Sequence, residues 1–251
     1  MTATATTAPP PRRLGPGWVP NQHGAWAMLA TPLLVGILAS HPRWAQLPLT
    51  LFWFAGYFAF FAGGLWLTSH RQARYVPPLR AYAVTATVLG LLTLVVRPGL
   101  ARWAPLFVLP MGVALLASAR RRERSIVSGL ATSVGSALMT LVAYDAGDGH
   151  DWHRAWLLTA VLAAYWAGTV LYVKTMVRER GSEPHYWLSA GYHDLAALVM
   201  IPVSPWLVLV FAVLAIRATV VPAFRAAPKL VGLAEIVPAV GVAATALLTV
   251  R

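Results

Sequence analysis

Long apolar segments separated by short polar breaks are the feature that most limits what this chain can fold into. Most of these segments are 17 to 21 residues long. An α-helix rises about 1.5 Å per residue, so each could cross the roughly 30 Å hydrocarbon core of a bilayer. The sequence therefore predicts about nine transmembrane helices. They cover approximately residues 24–40, 47–68, 80–96, 103–119, 125–144, 155–173, 186–203, 205–222 and 230–250.

The composition supports an all-α polytopic membrane protein. Of the 251 residues, 58% are hydrophobic and only 11% are charged, whereas soluble domains average about a quarter charged residues. A disordered chain, a coiled coil or a small disulfide scaffold would not have this composition. The chain contains no cysteine, which excludes disulfides, thiolate metal ligands and cysteine nucleophiles.

Basic residues predict the orientation of the chain. The formal net charge is +12, and basic residues concentrate in the cytoplasmic loops of membrane proteins, where they also contact anionic phospholipids. If the nine segments alternate in direction, 15 of the 20 basic residues lie on one side. We therefore expect a multi-pass protein of the bacterial plasma (cell inner) membrane, with a cytoplasmic N-terminus and an outer C-terminus. We expect no binding to nucleic acid.

Two regions follow from the same pattern. Residues 1–20 are rich in Thr, Ala and Pro, which predicts a disordered cytoplasmic tail. Residues 21–251 form a single transmembrane helical domain.

The first group of candidate functional residues lies at the start of the first apolar segment. His23 and Trp26 are three residues apart and would share one helix face. Polar and aromatic residues are dense here, which favours a binding site. The alternative is an interfacial anchor, since Trp is enriched at membrane interfaces.

The seventh segment contains a second group. His185, Ser189 and Tyr192 would form a polar stripe, beside which lie His193 and Asp194. Asp194 would lie about 14 Å into the membrane, where an ionisable group faces a cavity or a partner by default. The alternative is that Asp194 and His193 form a structural pair between helices.

Two acidic positions complete the candidates within and beside the membrane. Glu235 lies six residues beyond Lys229 in the last segment, so it needs a partner on another helix or must be protonated. An interhelical ion pair is the plain alternative. The acidic segment that begins at Asp145 matches no metal-binding signature, which favours a solvated outer turn.

Basic residues follow both the second and the sixth segment. They are Arg71, Arg74, Lys174 and Arg178. We expect all four to converge over one cytoplasm-facing cavity. Arginine grips a phosphate through its fork and lysine acts as a point charge, so such a rim suits an amphiphile with an anionic head group and an apolar tail.

The segment Gln22-His23-Gly24-Ala25-Trp26-Ala27-Met28 resembles the YwiC-like family of bacterial membrane proteins. The length and the pattern of apolar segments are similar over the chain beyond the tail. More distantly, nine helices with polar loops after helices two and six are similar to UbiA-type prenyltransferases, which implies a UbiA-like bundle.

In UbiA-type enzymes, Asp-rich motifs in those two loops hold Mg²⁺ and a prenyl diphosphate. This chain has no acid in the first loop, and its second loop offers Lys174, Arg178, Glu179 and Arg180. Without paired carboxylates we expect no metal site, and no other cofactor is indicated.

Three functions remain open at this point. In the first, the protein binds or transforms an isoprenoid- or quinone-related amphiphile. His193 and Asp194 would then be a base and its orienting group, with His23 and Glu235 nearby, and Trp26 and Tyr192 would contact the substrate beneath the basic rim. In the second, the protein is a non-catalytic assembly or accessory protein. In the third, it transports a small anion or a proton-coupled solute through Asp194 and Glu235. The oligomeric state is left open.

Overall fold

The structure, a computed structural model, describes residues 15–20, 23–224 and 227–251, without the side chains of His23 and Lys229. Within these ranges it consists of α-helices, three short 3₁₀ helices and connecting turns, and it has no β-strand. The α-helices are α1 (His23–Ala39), α2 (Gln46–Thr68), α3 (Val76–Val96), α4 (Ala104–Ala119), α5 (Ile126–Ala137), α6 (Met139–Ala146), α7 (Trp152–Val177), α8 (Glu183–Val199), α9 (Pro205–Val220), α10 (Pro228–Ala234) and α11 (Ile236–Thr249).

The all-helical, multi-pass fold predicted from the sequence is confirmed. In the described part of the chain, seven helical segments are long and apolar enough to cross a membrane. Two of them are interrupted, since α5 and α6 form one segment and α10 and α11 form another. The helix α1 is apolar but shorter, and α8 carries several ionisable residues. The count of nine and the UbiA-like arrangement stay predictions.

Local sequence explains where the helices begin and break. Ser125, Asp151 and Ser204 each accept a hydrogen bond from a backbone N–H in the first turn of α5, α7 and α9, which satisfies donors that have no partner within the helix. The last segment breaks at Glu235, between α10 and α11. Pro238 lies in the first turn of α11 and has no N–H to continue the helical ladder.

Helix α7 lies at the centre of the bundle. Its Leu158, Leu162 and Trp166 are almost completely buried and pack in one cluster with Phe211 of α9 and Val242 of α11. The apolar residues on the outer faces of the peripheral helices are exposed, as expected for surfaces that contact lipid. The central position of α7 allows its side chains to contact most of the other helices.

The helices alternate in direction, so the bundle has two distinct ends. We call one the arginine-rich end; it contains the start of α1 and the breaks that follow α2, α4, α7 and α9. At the opposite end, Arg154 Nε at the start of α7 donates to the Val250 carbonyl over 3.0 Å. The start of α1 and the end of α11 therefore lie at opposite ends of the bundle.

The tail predicted for residues 1–20 is described only over residues 15–20. There, Tyr82 Oη on α3 donates a hydrogen bond of 2.6 Å to the Trp18 carbonyl. The two rings meet edge to face, with their centroids 5.8 Å apart. This short segment therefore packs against α3.

Helices α1 and α6 approach closely at Gly36. A Cβ atom placed on Gly36 would lie 2.7 Å from Cβ of Ala143 and closer still to the Thr140 carbonyl oxygen. We expect Gly36→Ala to lower the free energy of unfolding by about 1–3 kcal/mol, because over-packing forces the two backbones apart. Thermal melting of the purified protein in detergent measures this effect.

Gly112→Ala is the matched control, because a Cβ atom on Gly112 in α4 meets nothing within 4 Å. Alanine favours helix more than glycine does, so this variant should keep or raise the melting temperature. Equal melting temperatures for the two variants would contradict the close contact between α1 and α6.

Candidate ligand cavity

A cavity of about 1240 Å³ lies between α7, α10 and the helices α1 to α6. It exceeds the roughly 300–1,000 Å³ of typical small-molecule sites. Most of its lining is apolar, and seven aromatic side chains contribute: Phe52, Trp53, Tyr57, Phe60, Trp103, Phe107 and Trp166. Its shape and lining therefore suit a long apolar group.

The cavity extends over much of the length of the bundle. Lys174 and Arg178 on α7 line it near the arginine-rich end, and Leu100 and Trp103 line it near the opposite end. Trp166 also lines it, twelve residues before Arg178, which corresponds to about 18 Å along the helix axis.

A polar cluster around Asp145 lies at the opposite end of the bundle, where Trp103 lines the cavity. Asp145 Oδ2 accepts hydrogen bonds from Trp103 Nε1 at 2.7 Å and pairs with Arg102 Nη2 at 2.9 Å. Arg97 Nη2 donates to the Asp145 carbonyl over 3.2 Å. The solvated turn expected here is wrong for Asp145, which is only 5% exposed. No pattern in the sequence indicates this burial, because both arginines lie in a different loop.

At the arginine-rich end, Lys174 and Arg178 differ in their contacts within the described residues. Lys174 Nζ donates to the Arg124 carbonyl over 2.9 Å and lies 3.8 Å from Glu179 Oε1. In the described part of the chain, the Arg178 guanidinium has no hydrogen bond or ion pair. Partial burial and the nearby charge of Arg124 lower the pKa of Arg178, but a guanidinium remains charged at neutral pH.

Glu235 lies deeper, at the break between α10 and α11, and it lines the cavity. Its Oε1 accepts a hydrogen bond of 2.8 Å from Arg217 Nη1, in an ion pair whose Glu235 side chain is 3% exposed. The Arg217 guanidinium also lies 4.1 Å from the centre of the Tyr172 ring. Glu235 therefore forms an ion pair with a residue of α9, which is the interhelical ion pair considered as the alternative from the sequence.

Arg71 and Arg74 lie at the same end as Lys174 and Arg178 but do not line the cavity. Their guanidinium groups lie over aromatic rings, that of Trp66 at 5.5 Å and that of Tyr75 at 5.0 Å. Lys174 and Arg178 therefore line the cavity, whereas Arg71 and Arg74 contact neighbouring aromatic side chains.

The polar residues of α8 mainly contact α7. Tyr192 Oη donates to the Ala164 carbonyl over 3.0 Å, and His185 Nε2 lies 3.2 Å from the Leu171 carbonyl oxygen. His193 is buried, with Nδ1 2.7 Å from the carbonyl oxygen of Ser189. Neither Tyr192 nor His193 lines the cavity. These contacts hold α8 against α7.

Asp194 has different surroundings from Glu235. It is exposed in a shallow, mainly apolar groove between α8 and α9, and within the described residues no hydrogen bond or ion pair reaches its carboxylate. The two carboxylates therefore do not share a cavity in the structure. A catalytic role for His193 and Asp194 stays a prediction.

The motif at the start of α1 divides into two parts. Gly24 and Ala25 line the cavity, while the Trp26 ring packs against Phe54 and Phe58 of α2, with centroids 6.4 Å and 5.7 Å away. Trp26 thus fixes α1 against α2. The side chain of His23 and the whole of Gln22 lie outside the described residues.

Fold and cavity together define a polytopic α-helical membrane protein with an internal, mainly apolar cavity. The model of the YwiC-like protein family matches residues 19–144, and the chain belongs to the YwiC-like family. This confirms the resemblance drawn from the motif around His23.

Two relatives cover most of the chain. One is a Bacillus subtilis (strain 168) protein described as "Uncharacterized protein YwiC", 28% identical over 223 residues, which are 88% of this chain and 93% of the relative. The other is described as "Uncharacterized protein" and comes from Haemophilus influenzae. It is 26% identical over 86% of this chain and 92% of its own length. No solved structure matches this chain.

The surroundings of the two carboxylates predict different effects of removing their charges. Glu235→Gln leaves Arg217 buried without its counter-charge, so we expect it to lower the free energy of unfolding by about 3–5 kcal/mol. Asp194→Asn removes an exposed charge that pairs with nothing described, so its melting temperature should stay close to that of the wild type. Thermal unfolding in detergent measures both; an equal loss in the two variants would contradict the assignment.

Proposed function

We propose that the protein binds an amphiphile with an anionic head group and an isoprenoid- or quinone-related tail. The tail lies in the cavity, and the head group binds at the arginine-rich end. The supporting observation is Arg178, a cation without a protein partner in the described residues, at the edge of a cavity whose lining is mainly apolar.

Lys174 completes the head-group site. It lies one helical turn before Arg178, so both side chains project from the same face of α7, and both line the cavity. Burial and the charge of Arg124 lower the pKa of Arg178, and the Glu123 carboxylate raises it; an anionic head group would form charge-assisted contacts with Lys174 and Arg178. Charge-assisted contacts of this kind are about twice as strong as neutral hydrogen bonds.

The test uses geranylgeranyl phosphate and hexadecyl phosphate as probes, with the corresponding alcohols as controls without the charge. Binding to the full-length protein in detergent is followed by tryptophan fluorescence, since Trp53, Trp103 and Trp166 line the cavity. We expect the phosphates to bind and the alcohols to bind more weakly. Loss of a charge-assisted hydrogen bond corresponds to a factor of about 10 to 100, so Arg178→Gln should weaken the phosphates by that factor.

Arg80→Gln is the matched control, because Arg80 is an exposed residue of α3 that does not line the cavity. It should bind the phosphates as the wild type does. Arg71→Gln tests whether Arg71 also belongs to the head-group site. Weaker binding of the phosphates would indicate a site that includes Arg71, and unchanged binding would indicate a site built by Lys174 and Arg178 alone. Phosphates that bind no better than their alcohols, or equally to Arg178→Gln, would exclude the proposal.

We also propose that the arginine-rich end faces the cytoplasm and contacts anionic phospholipids of the bacterial plasma membrane. The excess of basic residues in its loops supports this orientation. Reporter fusions at residues 1 and 251 should then report the cytoplasm and the exterior respectively. Both reporters on one side would contradict the orientation and the alternation of the helices.

A further inference from the structure

Three buried polar atoms of the cavity have no hydrogen-bond partner in the described part of the chain. They are Trp166 Nε1, Thr169 Oγ1 and Glu235 Oε2. All three residues line the cavity, and their exposed fractions are 1%, 7% and 2%. Buried polar groups in proteins are normally hydrogen-bonded, so this group is an unsatisfied site beside empty space.

Thr169 departs from other threonines on the same helix. Thr159 Oγ1 donates to the Ala155 carbonyl over 2.8 Å, and Thr175 Oγ1 donates to the Leu171 carbonyl over 3.0 Å. Each of these hydroxyls is satisfied by the carbonyl four residues earlier. Thr169 does not form this bond; it lines the cavity, and its hydroxyl lies beside the side chains of Tyr165 and Glu235.

The chemistry of the three atoms specifies the missing partner. An indole N–H only donates, and an ionised carboxylate oxygen only accepts. A single group that reached all three atoms would have to accept from Trp166 and donate to Glu235, while Thr169 can do either. Because Arg217 already compensates the charge of Glu235, the site does not call for a cation. Water and a hydroxyl are both neutral groups that donate and accept, and the mainly apolar lining of the cavity favours a hydroxyl carried by the bound chain.

We propose that this site binds a hydroxyl on the tail of the amphiphile, so that the ligand class is a hydroxylated long-chain anion. This inference rests on the proposed function, because it assumes that the head group binds at Lys174 and Arg178. Thr169 lies nine residues before Arg178 on α7, about 13 Å along the helix axis. An extended chain advances about 1.2 Å per bond, which places the hydroxyl roughly eleven bonds from the head group.

The test compares three probes of equal chain length: hexadecyl phosphate, 10-hydroxyhexadecyl phosphate and 4-hydroxyhexadecyl phosphate. The wild type should bind the 10-hydroxy compound about tenfold more tightly than the other two, since its hydroxyl alone reaches the unsatisfied atoms. This comparison needs no substitution, so it does not depend on the folding of any variant. Equal affinity for the two hydroxy isomers would overturn the inference.

Thr169→Val tests whether Thr169 contributes to the preference for the 10-hydroxy compound. Thr175→Val is the matched control on the same helix outside the cavity. Thr169→Val should lose several-fold of the preference for the 10-hydroxy compound while binding hexadecyl phosphate as before. Thr175→Val should keep the preference. A preference that Thr169→Val retains in full would show that these atoms do not contact the hydroxyl.

The outcomes separate the two proposals. If hexadecyl phosphate binds in an Arg178-dependent way and the 10-hydroxy compound binds no better, the hydroxyl site is excluded and the proposed function stands. If no alkyl phosphate binds, both proposals fall.

Discussion

The bilayer supplies no hydrogen bonds, and this constraint governs the rest of the structure. Each polar group within the hydrocarbon region needs a partner inside the protein. Helix α7 provides many of these partners, since its carbonyl groups at Ala164 and Leu171 contact Tyr192 and His185 of α8. Many Ser and Thr hydroxyls of the spans instead donate to a carbonyl of their own helix, as Thr159 and Thr175 do. Groups without a partner stand out against this background, and those that line the cavity are concentrated near Glu235.

The backbone is irregular at Glu235, which lies beside the cavity and pairs with Arg217. The last span breaks at Glu235. The backbone carbonyl of Glu235 accepts hydrogen bonds from Ala239 N and from Tyr165 Oη. Non-helical backbone at membrane depth is tolerated where protein or a cavity surrounds it. One carboxylate oxygen is held by Arg217 and the other remains without a partner in the described residues. The same residue thus stabilises the break and presents an acceptor to the cavity.

Charge and shape favour the same end of the cavity for a head group. At the opposite end, Asp145 is surrounded by Arg97, Arg102 and Trp103, so the cations there are compensated. At the arginine-rich end, Arg178 has no such partner in the described part of the chain. Under the proposed function, this difference between the two ends would bind the amphiphile in one direction, with its charge at the arginine-rich end and its tail toward the other.

Length, composition and periodicity by themselves determined the class of this protein, since runs of about 20 apolar residues are stable only where lipid or other helices surround them. The short motif around His23 also indicated the family. The sequence identified Lys174, Arg178 and Glu235, because ionisable residues in or beside a membrane are costly and thus conspicuous. It could not separate Glu235 from Asp194, which look alike in the chain but lie in a buried pair and in an exposed groove. Only the tertiary structure decided this, because the surroundings of each carboxylate come from helices far away in the sequence.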